Sequence, residues 1–482
     1  MTEPDTDHSA VDPAPVRPRG QRSRGSRPLF TAGMAALTAA LGYFAVSSNA
    51  EDPLHLYFGL LILVGATLPS LRWARQGDFR LPVFEVFMLT GVNTYAIPLL
   101  TGHQHLAQYS DADITTTALG VLFFQAVANL TYFATKARPK TTAAWTEEVI
   151  AKNITDYLEY GMIITTTYTA VVLLTDWIPR DLVGVLRAVC YGVGIMTSFI
   201  LSRMWGQGLL PPQKKTVFVV LLVLQVIFSW TALFLIGGMS ILILTFLGYV
   251  TGSKRLPIVP MAVAIIAAGT LHNGKSAMRL KYWEGRAPMP TLTEIPAFYS
   301  EWIGYSLDPE ISRKTKETNA ILQRTSLMHI LCLVVSYTPD RRPYLEGKTY
   351  GQIPGQFVPR FFWPEKPVGH ISTHTLSIYY GLQDEESTGK TTVAFGLLSE
   401  AYANFGFFGL ALIGALFAYA FKKIGDWSIY SPLLSYPGLF QIVLMAWSFQ
   451  AELTLSVWIT SLYQACIAVL GVPFLVRNLL GR

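Results

Sequence analysis

The chain has 482 residues, of which 51% are hydrophobic and 14% are charged, and its formal net charge is +6. Soluble domains carry about 25% charged residues, so this composition excludes an ordinary soluble domain. Runs such as 217–236 and 256–271 are nearly free of charge, and they approach the length needed to cross a bilayer about 30 Å thick. We therefore expect an all-α polytopic membrane protein, with no nucleic acid as a partner.

The N-terminal residues 1–27 are rich in Pro, Arg, Asp and Ser and contain almost nothing that could pack. This composition predicts a disordered tail. Five arginines lie from Arg17 to Arg27, and positive charge beside a span marks the cytoplasmic side. The first apolar run begins near Leu29 without an Ala-x-Ala-like cleavage signal beyond it, so we interpret it as a retained helix.

Twelve apolar runs then alternate with polar segments, and the segments on one side hold most of the Lys and Arg. This asymmetry predicts a multi-pass membrane protein with both termini in the cytoplasm. The assignment requires 216–253 to be two spans joined by a tight turn at Gly237-Gly238, because one long helix would invert everything after it. The predicted spans are 29–48, 54–70, 81–102, 113–135, 157–175, 182–203, 216–236, 238–253, 256–272, 393–421, 433–451 and 453–475.

This count divides the chain into a tail, nine spans over 28–272, a large extracytoplasmic loop over 273–392, and three spans over 393–482. Inside the loop, Ala320–Tyr337 is apolar but is interrupted by Arg324 and His329. We therefore expect an interfacial or re-entrant helix there. His329 is a candidate base near neutral pH, and the alternative is a histidine that is simply satisfied at the bilayer surface.

The ninth span runs into a polar stretch that ends at Trp283. If the helix continues, His272, Lys275, Arg279 and Trp283 lie on one face, where Arg279 would bind phosphate bidentately. Snorkelling cations with an interfacial Trp are the alternative. The same stretch contains G-T-L-H-N-G-K-S, which fits the P-loop pattern, but a P-loop follows a strand and this one follows a span. Nucleotide binding is therefore not expected.

The loop Pro359-Arg360-Phe361-Phe362-Trp363-Pro364-Glu365-Lys366-Pro367 places two cations, a carboxylate and a tryptophan among three prolines. Prolines stiffen the backbone and exclude regular structure. A stiff loop that presents Arg360, Trp363 and Lys366 suits an amphiphile with an anionic, ring-bearing head group. A loop with a merely structural role is the alternative.

The tenth span contains Glu400 and Asn404 one helical turn apart, with Tyr402 between them. A carboxylate inside an apolar helix is costly and usually has a partner. We expect Arg279 or Arg360 to pair with Glu400, and a purely structural ion pair is the alternative.

Metal signals are weak. His370 and His374 have i, i+4 spacing but lack the Glu of H-E-x-x-H. Asp111-Ala112-Asp113 could hold a divalent cation beside a diphosphate, although an acidic outer flank explains it more simply. No metal or other cofactor is predicted.

Several motifs together resemble the oligosaccharide repeat-unit polymerases, that is, the O-antigen polymerase or Wzy-type proteins, and most of all those of exopolysaccharide gene clusters. The resemblance covers about residues 256–425, and elsewhere only the pattern of spans around one large loop is similar. Its motifs are Gly274-Lys275, Arg279, Tyr282-Trp283, Arg324-Thr325-Ser326-Leu327, Thr338-Pro339, Pro343-Tyr344, Gly347, Thr349-Tyr350, the proline-rich loop, Gly396, Glu400-Ala401-Tyr402 and Asn404-Phe405-Gly406.

The resemblance implies a GT-C-like membrane glycosyltransferase in polysaccharide biosynthesis. Its substrates would be oligosaccharides on a polyprenyl diphosphate, such as undecaprenyl diphosphate. Its other partners would be the lipids of the bacterial inner membrane, together with flippase and chain-length regulator proteins. The carrier diphosphate leaves during transfer, so no nucleotide sugar, ATP or cofactor is needed.

Roles for individual residues follow from that chemistry. Preorganised arginines stabilise the charge of the leaving diphosphate, a role we assign to Arg279 and Arg360, with Arg324, Lys275 and Lys366 as substrate-binding cations. An acceptor hydroxyl needs a base within hydrogen-bond reach, for which Glu400 and His329 are candidates. Trp363, Trp283 and Tyr402 are candidates for stacking on sugar rings, and Asn404 for binding substrate.

Two other functions stay open. A ligase of the O-antigen type shares the architecture and carrier but transfers a finished chain to another acceptor. A transporter of polysaccharide or lipid-linked sugar should instead show repeated halves with broken helices near the midplane.

Overall fold

The computed structural model describes residues 26–50, 52–76, 80–136, 154–175, 177–178, 180–285, 287–311, 326–358, 362–363, 365–366, 369–388, 392–428, 433 and 435–471. Throughout these ranges the regular structure is helical, with no strand. The predicted N-terminal tail therefore lies outside the described residues, apart from Ser26 and Arg27.

Fifteen of the helices within these described ranges are longer than one or two turns, and they are numbered here in chain order. They are α1 Arg27–Ser47, α2 Pro53–Gln76, α3 Val83–Leu100 with an internal π turn, α4 Asp111–Ala134, α5 Ile154–Leu174, α6 Arg180–Gly206, α7 Pro212–Thr231, α8 Leu235–Ser253, α9 Ile258–Arg279, α10 Ile295–Leu307, α11 Met328–Tyr337, α12 Ile371–Tyr379, α13 Gly396–Ser428, α14 Tyr436–Ser448 and α15 Leu455–Cys466. Short helical turns occupy Tyr350–Gln352, Ile353–Gln356 and Glu385–Thr388.

Eight of these helices, namely α1 to α5, α7, α8 and α13, are long and apolar enough to cross a membrane. Their outward surfaces are apolar: Val46 is 91% exposed, Leu130 70% and Val220 52%. Large exposed apolar surfaces are rare on soluble monomers. These are the features of an α-helical polytopic membrane protein. The other four predicted spans are also helical, as α6, α9, α14 and α15, but they do not meet the same length and hydropathy criteria.

Local sequence sets where several helices begin. Ser26, Ser110 and Ser435 cap α1, α4 and α14, and each hydroxyl accepts a hydrogen bond from the backbone N–H of the third residue of the helix. Such caps satisfy donors that the first turn leaves without a partner. Proline stands at the first or second position of α1, α7, α10 and α14, where its missing N–H costs nothing.

The turn between α7 and α8 confirms two helices in 216–253, but its predicted position is wrong. The chain turns at Ala232–Phe234, where Leu233 adopts a left-handed conformation with φ of 59°. Gly237-Gly238 instead lies inside α8. A Cβ on Gly238 would sit 2.4 Å from the indole nitrogen of Trp230, so this glycine allows the two helices to approach closely.

The helices α4 and α13 run side by side in the same direction. Leu410 faces Gly120, and further along Lys422 lies 5.2 Å from the Tyr132 ring centroid. α2 runs in the same direction, since Gln125 and Asn129 of α4 donate to the carbonyls of Ile62 and Gly65. α2, α4 and α13 thus begin at one end of the bundle, called here the Glu400 end. At the opposite end, Arg80 bonds to Asp426 at 2.6 Å.

Two separate hydrophobic cores hold the molecule together. The larger core includes residues of α2 to α8 and of α11 to α15, and the smaller joins α9 and α10 to one end of α7 and α8 around Trp230 and Trp302. A side chain that packs beside one core therefore need not lie near a side chain of the other core.

The predicted interfacial helix is present in shortened form as α11. Its apolar side chains Met328, Leu331, Cys332 and Val334 are completely buried, in the core shared with α4 and α13. The segment is apolar because it packs against protein, and it does not need a bilayer surface to cover these residues. Arg324, which also belonged to this prediction, lies outside the described residues.

Candidate functional site

The helix α13 is broken one residue after Asn404. Phe405 has φ of −145°, and Gly406 has φ of 59° and ψ of −140°, neither of which is helical. Only glycine adopts such a conformation without strain, and a Cβ there would lie 2.7 Å from the Tyr344 hydroxyl. The break interrupts the helical hydrogen bonding and makes backbone groups available to another segment.

The loop 344–352 takes up those groups. The amide of Leu345 donates to the carbonyl of Ala403 at 2.9 Å, and the amide of Glu346 donates to the carbonyl of Asn404 at 3.2 Å. Buried backbone groups must find partners, so the broken helix and the loop satisfy each other. The predicted extracytoplasmic loop is thereby docked into a helix that is long and apolar enough to span a membrane.

Asn404 fastens this docking through its side chain, which is 0% exposed. Its Oδ1 accepts from the Gly347 amide at 3.0 Å. Its Nδ2 donates to the Thr349 hydroxyl at 2.9 Å and to the Glu400 carbonyl at 2.8 Å. These bonds use both N–H donors of the amide and one lone pair of its oxygen, so Asn404 serves to order the site.

Glu400 lies one turn earlier and is also 0% exposed. Its Oε2 accepts from the Leu455 amide at 2.5 Å, which is the first residue of α15. A helix N-terminus carries partial positive charge and free N–H groups, so it compensates the carboxylate in place of a cation. Among the described residues, Oε1 has no hydrogen-bond partner.

The predicted pairing of Glu400 with Arg279 is therefore wrong. Arg279 donates from Nε and Nη2 to the Leu233 carbonyl, at 3.2 and 2.8 Å. It belongs beside the smaller core, whereas Glu400 lies within the larger one. The alternative partner, Arg360, lies outside the described residues.

Tyr350 completes what we call the Glu400 cluster, which consists of Thr349, Tyr350, Glu400 and Asn404. The Tyr350 hydroxyl is buried and has no hydrogen-bond partner among the described residues. Burial, and to a lesser degree the neighbouring Glu400 carboxylate, raises the pKa of Tyr350 above its usual value. The hydroxyl thus stays protonated and is a donor close to the carboxylate.

His329 belongs to a second group, the histidine cluster, formed with His103 and His105. The three ring centroids are 5.3 to 5.5 Å apart, and the rings of His103 and His329 are parallel to within 6°. Burial, followed by the two neighbouring histidines, lowers the pKa of His329 to about 4. The imidazole is neutral at pH 7, but it is a weaker base than the near-neutral titration expected from the sequence.

The prediction that α9 continues past His272 is confirmed as far as Arg279, where a π turn over Leu280–Glu284 follows. The guanidinium of Arg279 lies 4.1 Å from the Trp283 ring centroid and 5.2 Å from that of Phe234. Arg279 and Trp283 thus share a face as expected. The P-loop-like sequence is part of the helix α9, so it forms no loop that could cradle a phosphate.

Only part of the proline-rich loop is described. The ammonium of Lys366 donates to the carbonyls of Gln356 and Val358, at 3.0 and 2.8 Å, and so helps to close its own loop. Trp363 is 43% exposed and lies against Gly355, which leaves much of the indole face open. Tyr402, by contrast, is 5% exposed and packs between Tyr344 and Phe407.

The predicted site residues therefore fall into separate places. Glu400 and Asn404 meet in the Glu400 cluster, Arg279 and Trp283 meet at the end of α9, and His329 lies in the histidine cluster. Lys275 lies one turn before Arg279 on α9. Sequence reasoning missed His103, His105 and the role of Thr349-Tyr350. Thr349-Tyr350 appeared only as part of a family-like motif, and the two histidines carried no spacing signal that connects them to position 329.

Comparison with protein-family models, with curated proteins and with solved structures finds no match.

Proposed function

We propose that the chain is a membrane glycosyltransferase that joins polyprenyl-diphosphate-linked oligosaccharide units into a long surface polysaccharide. The reaction would take place at the outer face of a bacterial inner membrane, with the Glu400 end outward. Arg80 and Lys422 lie at the opposite end, which agrees with positive charge on the cytoplasmic side. The twelve-span, GT-C-like architecture is part of this proposal.

The observation that carries the proposal is the Glu400 carboxylate. It is buried at a broken helix, is held by one oxygen on a helix N-terminus, and has its other oxygen unpartnered among the described residues. An unmet buried acceptor is costly, and Glu400, unlike Asp426 with its Arg80 partner, has no ion-pair partner among the described residues. A single free acceptor, positioned beside a tyrosine hydroxyl, is what removal of a proton from an acceptor hydroxyl requires.

In the proposed step, an acceptor sugar hydroxyl attacks the anomeric carbon of the donor chain. The new glycosidic bond forms as the bond to the carrier diphosphate breaks, and the hydroxyl proton passes to Glu400. We assign Arg360 and Lys366 to the leaving diphosphate, because charge that develops there needs fixed cations. Arg279 would join them after exchanging the Leu233 carbonyl for phosphate oxygens, and Arg324 and Lys275 are supporting cations.

Trp363 is our candidate for stacking on a sugar, since its indole is exposed on a loop that also carries Lys366. Trp283 is a second candidate on the Arg279 face. The buried Tyr402 would support the loop through Tyr344. His329 is assigned a secondary role, because its lowered pKa makes it a poor proton acceptor at neutral pH.

The test uses lipid-linked units extracted from a strain that lacks this gene, incubated with the purified chain in nanodiscs. The wild-type chain should give a ladder of products on a gel. Glu400→Gln keeps an acceptor for the Leu455 amide but removes the base, and it should lower the yield by about 10²-fold or more.

Glu452→Gln is the matched control, because it makes the same chemical change at the same end of the bundle. It should leave the ladder intact. A wild-type chain without a ladder, or a Glu400→Gln chain with normal yield, would contradict the proposal. If a strain that lacks the gene still makes polymer of normal length but does not attach it to another acceptor, the chain is instead a ligase.

A second candidate function, a transporter of polysaccharide or lipid-linked sugar, is favoured by one observation. α13 is discontinuous at Phe405–Gly406, and broken helices form the substrate sites of many transporters. The same extract of lipid-linked units, added to liposomes that contain the purified protein, separates the two functions. Movement of single units across the bilayer without chain growth would support transport.

A further inference from the structure

The N-termini of α2 and α4 meet at a corner of the Glu400 end. Asp52 caps α2, and its Oδ1 accepts from the Leu54 amide at 2.8 Å. Ser110 caps α4, where it accepts from the Asp113 amide at 3.2 Å and donates to Asp113 Oδ2 at 2.7 Å. These bonds explain Asp52 and Asp113, but they leave the carboxylate of Asp111 without a capping role.

His55 lies in the first turn of α2 and is 5% exposed. Its Nε2 is buried and has no hydrogen-bond partner among the described residues. The positive ends of two helices account for nearby carboxylates, but they do not account for a buried imidazole. A buried polar atom without a partner is unfavourable and calls for a ligand.

One donor atom from each of Asp52, His55 and Asp111 lies within 4.8 Å of the other two. Two donors on opposite sides of a cation bonded at about 2.0–2.4 Å are roughly 4.0–4.8 Å apart. The three side chains therefore need only small rotations to converge on one ion. Such an ion would neutralise both carboxylates and give the imidazole its missing partner.

We propose that Asp52, His55 and Asp111 form a site for a divalent transition-metal ion of the Zn²⁺ class. One imidazole nitrogen with two carboxylate oxygens suits Zn²⁺, whereas Mg²⁺ and Ca²⁺ prefer all-oxygen sites. The ion ties the turn between α1 and α2 to the start of α4. This site is separate from the Glu400 cluster and does not depend on the proposed glycosyl transfer.

The full chain, purified without a polyhistidine tag and reconstituted in nanodiscs, is loaded with Zn²⁺ and dialysed. Bound zinc per chain is then measured by mass spectrometry. We expect about one equivalent in the wild type, and at least tenfold less in Asp111→Asn and His55→Gln. Asp52→Asn should also lose the ion, although Asn caps a helix as well as Asp does.

Asp113→Asn is the matched control, since it removes a carboxylate from the same turn of α4 and should retain zinc. The double variant His103→Gln with His105→Gln should retain it too. Loss of zinc from that double variant would assign the ion to the histidine cluster and overturn the proposal. So would zinc retained by Asp111→Asn and His55→Gln, or a wild type that holds none.

A second measurement covers variants that fail to fold. Co²⁺ bound to the wild type should show visible absorption bands of a site with one imidazole ligand, and a tenfold excess of Mg²⁺ or Ca²⁺ should leave them unchanged. Wild-type protein with no such bands, or bands removed by Ca²⁺, would refute the assignment.

Discussion

Replacing Asn404 by alanine should release the loop 344–352 from the broken helix. The change removes the bond that Asn404 accepts from the Gly347 amide and the bond that it donates to Thr349. Each net hydrogen bond is worth about 1 kcal/mol. Gly347 is only half-buried, so water can replace part of the loss, and the docking should weaken by about 2 kcal/mol in total.

Hydrogen exchange of the protein in nanodiscs measures this local change directly. A loss of about 2 kcal/mol raises the open population about 30-fold. The amides of Leu345 and Glu346, which donate to Ala403 and Asn404, should therefore exchange about 30-fold faster. Product yield in the polymerisation assay should fall with them, because Thr349 and Tyr350 leave the Glu400 cluster.

Asn129→Ala is the matched control. Asn129 is a buried amide of α4 that donates to the Gly65 carbonyl at 3.2 Å, and it has no contact with the loop. Its replacement should leave exchange in 344–352 unchanged. If Asn404→Ala also leaves that exchange unchanged, the loop is held by other contacts and the reasoning about Asn404 is refuted.

Two further predictions concern the histidine cluster and the break in α13. The folded-state pKa of His329 is lowered from 6.5 to about 4, so the unfolded state takes up the proton at a higher pH than the folded state does. The stability that depends on a neutral His329 is therefore complete above pH 6.5 and is lost as the pH falls toward 4. This amounts to about 2 kcal/mol at pH 5. His329→Gln should flatten the thermal stability curve between pH 6.5 and 5, and an unchanged curve would exclude His329 as its source. Gly406→Ala forces a Cβ into a left-handed position, costing about 1–2 kcal/mol or more, and should lower the melting temperature. Gly304→Ala on α10, where a Cβ meets open space, should not, and equal effects of the two would show that the break tolerates a side chain.

Helices with an apolar sequence were predictable because their signal is local. Each predicted span contains enough apolar residues to form a helix without help from the rest of the chain, and the structure has a helix at each of the twelve. The i, i+4 relation of Glu400 and Asn404 was likewise set by the helical repeat. Turn positions were harder, because Gly237-Gly238 signals a turn and close packing equally well.

The partners of the key side chains were not predictable. Glu400 accepts a hydrogen bond from the amide of Leu455, 55 residues away. Its position in an apolar helix predicted an arginine as the partner instead. The sequence F-G-F-F-G at 405–409 does not indicate whether Gly406 breaks α13 or only allows close helix packing. Both outcomes depend on which segment lies opposite, which the local sequence does not encode.

By itself, the sequence determined that this is a membrane protein built of helices, and it placed Glu400 inside one of them. The tertiary structure decided that Glu400 rests on the N-terminus of α15 beneath the loop 344–352, and that Arg279 serves a different core. It also gathered His103, His105 and His329, and Asp52, His55 and Asp111. The reason is that helix formation depends on contacts a few residues apart, whereas these groupings depend on how the helices pack together.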